Sequence, residues 1–149
     1  MVTRPKAAPL DLLIDTNVVL DTILAREPWA REAAALLDAC ARRSARAHMA
    51  AHAVTTIHYL VARALDRRAA AAAISDLLDL VTVVPADDAD FRRALTLGVA
   101  DFEDAVQVTA YLKCGARVLV TRNSRDYRAA KVETRTPGEV LALIASTGR

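Results

Sequence analysis

Glycine is scarce in this chain, four in 149 residues, while alanine is abundant, a balance that favours helices. Cysteine is limited to Cys40 and Cys114, far apart and with no CxxC pair. Two thiols without pairing logic read as free cysteines in a reducing cytoplasm, and no metal role is expected of them. No apolar run reaches the roughly 20 residues that a bilayer span requires, so no membrane association is expected. The segment 1–9 carries Arg4 and Lys6 but no apolar stretch after them. It reads as a flexible lead-in and not as a signal peptide. A large excess of one charge is also missing. The net charge of +2 permits a polyanionic partner without demanding one.

What is present is a globular composition, 54% hydrophobic and 26% charged, sufficient for a single domain with a sizeable core over residues 10–146. Apolar periodicity places short strands at 12–14, 45–51, 81–84, 117–121 and 132–134, the last as an edge strand. Helical spacing marks 29–43, with Pro28 at its start, then 52–65, 67–80, a helix capped by Asp87 or Asp88, 101–114 and a last helix from Pro137. Residues 124–130 read as a turn or short helix. Strands alternating with amphipathic helices indicate an α/β domain with a mainly parallel sheet of four to five strands.

Three stretches carry polar groups where the pattern otherwise demands apolar ones. In Leu12-Leu13-Ile14-Asp15-Thr16-Asn17-Val18, Asp15 ends a buried strand and opens a helix. In parallel sheets that end of the strands is where ligands bind, although Asp15 or Asn17 could equally cap the helix. In Asp101-Phe102-Glu103-Asp104-Ala105-Val106-Gln107, Asp101 and Asp104 share one side of a helix. A capping pair accounts for those two acids, but not for a third. In Val118-Leu119-Val120-Thr121-Arg122-Asn123-Ser124-Arg125-Asp126-Tyr127, a second apolar strand ends in Thr121, Asn123 and Asp126, which turn chemistry alone would also accept.

A parallel sheet would bring Asp15, Asp104 and Asn123 or Asp126 to one rim. Carboxylates that close repel unless a cation neutralises them, and hard oxygen ligands suit Mg²⁺ or Mn²⁺. Such an ion can activate water and offset charge on a phosphodiester, while Arg122 and Arg125 could hold phosphate oxygens. The arginines fall in two clusters, Arg42, Arg43 and Arg46, and Arg122, Arg125 and Arg128. A cluster of this kind can also be only a solvated face. The chemistry reached from the residues is metal-dependent phosphodiester hydrolysis.

The ordered set Ile14-Asp15-Thr16-Asn17-Val18, Asp101-Phe102-Glu103-Asp104-Ala105 and Val120-Thr121-Arg122-Asn123 resembles the PIN (PilT N-terminus) domain, closest to the small VapC-like toxins of toxin–antitoxin pairs. The resemblance runs from about Leu12 to about Ile144. It implies a three-layer α/β/α sandwich and an Mg²⁺- or Mn²⁺-dependent ribonuclease acting on RNA. It also implies a homodimer neutralised by a cognate antitoxin. Asp15 and Asp104 match the family's metal-binding aspartates, and Asn123, with Asp126 nearby, its polar residue after the Thr-Arg pair. Thr121 is the strand-end hydroxyl, and Asp101 stands beside Asp104. Asn17, Arg122 and Arg125 are the candidate substrate contacts.

One departure from the family pattern concerns the helix after the second strand, where a glutamate is usual. His58 is the best-aligned position here, on a face with Val54, Ile57 and Val61 that reads as a core histidine. Asp101 or Glu103 could supply the missing charge. Otherwise the chain would be a catalytically impaired RNA- or protein-binding module of the same fold. A two-histidine metal grip from His48 and His52 is not expected, because a strand-to-helix break separates them. A haloacid-dehalogenase-like phosphatase would want an aspartate where Asn17 stands.

Overall fold

The computed structural model describes Thr3 and residues 7–148. Five strands, β1 (Leu10–Ile14), β2 (Ala45–Ala50), β3 (Val81–Val84), β4 (Val118–Val120) and β5 (Thr134–Arg135), form one sheet in the order β3-β2-β1-β4-β5. Every pairing is parallel. The helices are α1 (Thr16–Ile23), α2 (Ala30–Ala41), α3 (Ala51–Ala64), α4 (Arg67–Leu80), α5 (Asp88–Ala94), α6 (Phe102–Cys114) and α7 (Pro137–Thr147), with a 3₁₀ segment at Ser124–Ala130.

Side chains alternate across the sheet because the strand period is two. Leu12 and Ile14 of β1, Val118 and Val120 of β4, and Ala47 and Met49 of β2 face a core built with α1, α2, α3, α4 and α7. Leu13, Leu119, Ala50 and Val84 face the opposite layer, with Val108 and Ala110 of α6 and with Tyr127. Leu12, Leu13 and Ile14 are all 0% exposed, as a strand covered on both faces must be. This is the three-layer α/β/α sandwich expected from the sequence.

The strand order places β1 at a topological switch. The chain moves from β1 to β2 and β3 on one side, then crosses to β4 and β5 on the other. The crevice at the carboxyl ends of β1 and β4 is where ligands sit in such sheets. Asp15 donates its backbone N–H to Val120 O there, at 3.0 Å.

Several boundaries differ from the sequence expectation. The edge strand lies at Thr134–Arg135, not 132–134, because Lys131 takes a left-handed turn (φ 54°) and the ladder to β4 begins only with Leu119 opposite Thr134. Helix α2 starts at Ala30, two residues after Pro28, and ends before Arg43, whose φ of 61° breaks the helix. His58 is exposed. The buried stripe of α3 runs through Ala53, Ile57 and Val61, and His58, one position past Ile57, turns about 100° away from it. It is therefore not a core histidine.

Met1, Val2 and Arg4–Lys6, part of the expected lead-in over 1–9, lie outside the described residues. Among the described residues no helix is long and apolar enough to cross a membrane.

Candidate active site

Asp15 is the N-cap residue of α1 by position, yet its side chain makes no capping bond. The carboxylate is buried and turned to the crevice. Thr121 donates its hydroxyl to Asp15 Oδ2 at 2.8 Å, and the Tyr127 hydroxyl lies 3.3 Å from the same oxygen. Gln107 Nε2 reaches Asp15 Oδ1 at 3.4 Å and Thr16 Oγ1 at 3.3 Å. Burial raises the Asp15 carboxyl above its ordinary range, against the lowering effect of the Thr121 and Tyr127 bonds.

The second carboxylate comes from the first turn of α6. Asp101 caps this helix by accepting the backbone N–H of Asp104 at 3.1 Å. The Asp104 side chain does not complete a capping box; it meets the Tyr127 hydroxyl at 3.3 Å. Its carboxyl is raised to about 6, first by burial and then by the charges of Asp101, Asp15 and Asp126. The same surroundings push the Tyr127 phenol well above its ordinary value. One phenol carries one proton, so it can donate to only one carboxylate at a time. The second contact is satisfied when Asp104 holds its own proton and donates to Tyr127.

Around this core, Asn123 donates its backbone N–H to Thr121 Oγ1 at 3.0 Å, which fixes the hydroxyl that holds Asp15. Asn17 is half-buried in the first turn of α1, and Asp126 and Arg125 are exposed on the 3₁₀ segment. Arg122 is engaged elsewhere. It binds the fully buried Asp21 through Nε at 2.9 Å and Nη2 at 3.4 Å and lies 3.7 Å over the Trp29 ring. Arg42 and Arg46 of the other cluster pair with Asp38 and Asp11. His48 bonds to Asp11 at 3.0 Å.

Glu103 lies 3.7 Å from His52 Nε2, and its charge also raises the Asp15 carboxyl. Both ring nitrogens of His52 and Gln107 Oε1 are buried without a hydrogen-bond partner among the described residues. Tyr127 and Gln107 stand within the polar stretches of the sequence without a role evident from it. Gln107 could have been found as the residue three positions after Asp104, on the same helical side.

Among the described residues no three His, Cys, Asp or Glu side chains are arranged to hold a metal by themselves. Mg²⁺ needs fewer, since one or two carboxylates, water and substrate phosphate commonly complete its shell. The Asp15–Asp104 pair fits such an ion: two hard oxygen donors, mutually repelling, kept together by a shared phenol.

Solved structures share this fold. DNA-bound VapBC from Salmonella typhimurium is 16% identical, with a TM-score of 0.66 over 86% of this chain and 98% of that one. VapBC2 from Rickettsia felis, bound to a promoter DNA fragment, is 11% identical, with a TM-score of 0.64 over 85% and 98%. VapC20 from Mycobacterium tuberculosis, a Sarcin-Ricin loop cleaving toxin, is 20% identical, with a TM-score of 0.60 over 72% and 86%. At these identities the likeness is one of fold, and no curated protein matches the chain in sequence. Residues 11–125, however, match the PIN domain, and the chain belongs to that family.

Proposed function

We propose that this protein is a divalent-metal-dependent endoribonuclease that hydrolyses RNA phosphodiester bonds. The observation that carries the reading is the Asp15–Tyr127–Asp104 bridge at the switch-point crevice. Two carboxylates, both raised by burial and Asp104 also by the charges of Asp101, Asp15 and Asp126, form a place where a cation replaces a proton with a gain in stability. Asp15 and Asp104 would hold Mg²⁺ or Mn²⁺, which when bound supplies water activation and charge neutralisation at the phosphate. Thr121 and Gln107 fix the Asp15 carboxylate, so its orientation is set before substrate arrives. Tyr127 carries the proton that the pair shares. Asn123, Asp126 and Asp101 complete the polar rim, and Asn17 lies beside it. Exposed Arg125 is free to meet a phosphate oxygen, whereas Arg122 is bound to Asp21.

The VapBC complexes of the same fold support a further reading: this chain is the toxin of a toxin–antitoxin pair, a cytoplasmic homodimer held inactive by a cognate protein. The competing reading is a catalytically impaired binding module. It is favoured by the helix after β2, whose residues on the His52 side continue to Thr56 without a carboxylate.

The test is incubation of the full chain with single-stranded and structured RNAs, in Mg²⁺, Mn²⁺ or chelator, beside Asp15→Asn and Asp104→Asn. Metal-dependent cleavage lost in both variants is the expected result. RNA binding without cleavage, unchanged by chelator, would establish the impaired module.

A further inference from the structure

Trp29 is the chain's only tryptophan, and it is 41% exposed, unusual for a side chain that usually buries most of its area. It is not loose. The Arg122 guanidinium lies 3.7 Å over the ring centroid, and Arg122 is held by two bonds to Asp21, whose carboxylate is sealed in the core. Arg26 approaches the same carboxylate at 3.8 Å. Two guanidiniums thus share one buried carboxylate, and this trio carries a net positive charge beside an exposed aromatic surface. Arg122 directly follows Thr121, which holds Asp15. The indole is therefore tied, through one side chain and one peptide bond, to the carboxylate rim.

We propose that Trp29, backed by Arg122, is a stacking platform for an unpaired base of a single-stranded RNA whose scissile phosphate lies at the Asp15–Asp104 carboxylates. The proposal rests on the ribonuclease reading and adds the side chain that would hold a base of the substrate. A rigid indole with a cation on one face offers its exposed surface to a base of any identity, as in proteins that bind single strands without sequence preference. The surplus charge suits the phosphate that each base would bring with it. Duplex RNA, whose bases are already stacked, cannot use such a platform. Trp29 serves here as a specificity-determining residue, with no part in the bond-breaking step.

Because Trp29 is the sole tryptophan, its emission reads the contact directly. The full chain in chelator, and Asp104→Asn in Mg²⁺, would be titrated with a short single-stranded RNA and with the same RNA annealed to its complement. Binding would be followed independently by anisotropy of a labelled strand. Saturable quenching that tracks the anisotropy for the single strand, and its absence for the duplex, is the expected result. Trp29→Leu should weaken single-strand affinity about 5- to 150-fold and raise KM while kcat holds, whereas Trp29→Phe should stay within about threefold.

Melting of both variants separates lost stacking from lost fold. Bound RNA that leaves the emission unchanged, a folded Trp29→Leu of wild-type affinity, absence of RNA binding, or quenching only by a protein partner would each overturn the proposal. Cleavage with an unresponsive Trp29 would overturn it and spare the ribonuclease reading. Quenching by the single strand without cleavage under any metal would overturn the ribonuclease reading, and with it the scissile phosphate at Asp15–Asp104, and leave only the base contact at Trp29.

Discussion

Thr121 donates its hydroxyl to Asp15 at 2.8 Å across 106 positions of sequence. The bond exists because β1 and β4 are adjacent parallel strands, with Ile14 opposite Val120, so that the residues just past their ends meet over the crevice. Removing the hydroxyl leaves a buried carboxylate with one donor fewer. Thr121→Val keeps the shape, and we predict a loss of about 1–3 kcal/mol in unfolding free energy together with weaker metal affinity. Urea unfolding and Mn²⁺ calorimetry read both. Unchanged values in the two would mean that Thr121 does not hold Asp15 in solution.

Asp104 gives the protein a pH signature in the absence of metal. Its folded carboxyl titrates at about 6, above the ordinary 3.8, because of burial and the neighbouring Asp101, Asp15 and Asp126 charges. The folded state then holds the proton more tightly than the unfolded chain, so stability is greatest at low pH and falls as pH rises from about 4 to about 6. The expected loss, discounted for the group's partial exposure, is about 1–2 kcal/mol. Asp104→Asn should flatten that part of the profile in chelator, and saturating Mg²⁺ should restore wild-type stability at pH 7. Parallel profiles for wild type and variant would refute the assignment.

Tyr127 can be tested apart from the charges it bridges. Tyr127→Phe retains the buried ring, which packs with Leu13, Leu119 and Val108, and deletes only the hydroxyl. The two carboxylates then face each other without a shared proton. We expect the melting temperature in chelator to fall by several degrees, a loss on the order of 1–3 kcal/mol, and to recover when Mn²⁺ is added. A deficit of the same size with and without metal would mean that the hydroxyl serves packing alone.

The two arginines past β4 should separate cleanly. Arg122 is fixed on buried Asp21, so Arg122→Gln leaves a sealed carboxylate poorly paired and should lower stability by about 3 kcal/mol. Exposed Arg125 has no ion-pair partner among the described residues. Arg125→Gln should leave melting within about 0.5 kcal/mol and reduce the salt dependence of single-stranded RNA binding by about 0.7 in log–log slope. Equal salt slopes for Arg125→Gln and wild type would remove Arg125 from the RNA path.

The sequence made the layer order legible because strand and helix periods alternate cleanly from Leu12 onward; α4, β3 and α6 fall where periodicity puts them, whereas β1 begins two residues earlier, at Leu10. Asp15 and Asp104 were legible for a related reason: each is a charge at the end of an apolar run, where burial requires a partner. Their partners were not. Tyr127 lies in a 3₁₀ segment with no apolar period, and only tertiary packing turns its hydroxyl toward both aspartates. Arg122 looked available for phosphate because Asp21 reads as an ordinary helix residue, whereas it is buried and accepts the guanidinium. His58 was misplaced because a helix register wrong by one position rotates a side chain about 100°, enough to exchange core for solvent.

That register also decides where the carboxylate missing from α3 would have to be. His52, in the first turn of α3 just past the end of β2, lies 3.7 Å from Glu103 of α6 and so marks the helix face that looks toward the rim. The next residue on that face is Thr56, four positions on, half-buried and bonded back to His52 O at 3.2 Å. His58 is six positions on and exposed. A glutamate introduced at 56 is thus expected to join the acidic rim, whereas one at 58 remains in solvent. Thr56→Glu should tighten Mn²⁺ binding and, in chelator, lower stability through added carboxylate repulsion. His58→Glu should change stability by no more than about 0.5 kcal/mol and leave metal affinity as it is. Calorimetric titration of the two variants settles the register: tighter binding in His58→Glu alone would place the rim-facing side of α3 at 58 and overturn the assignment to Thr56.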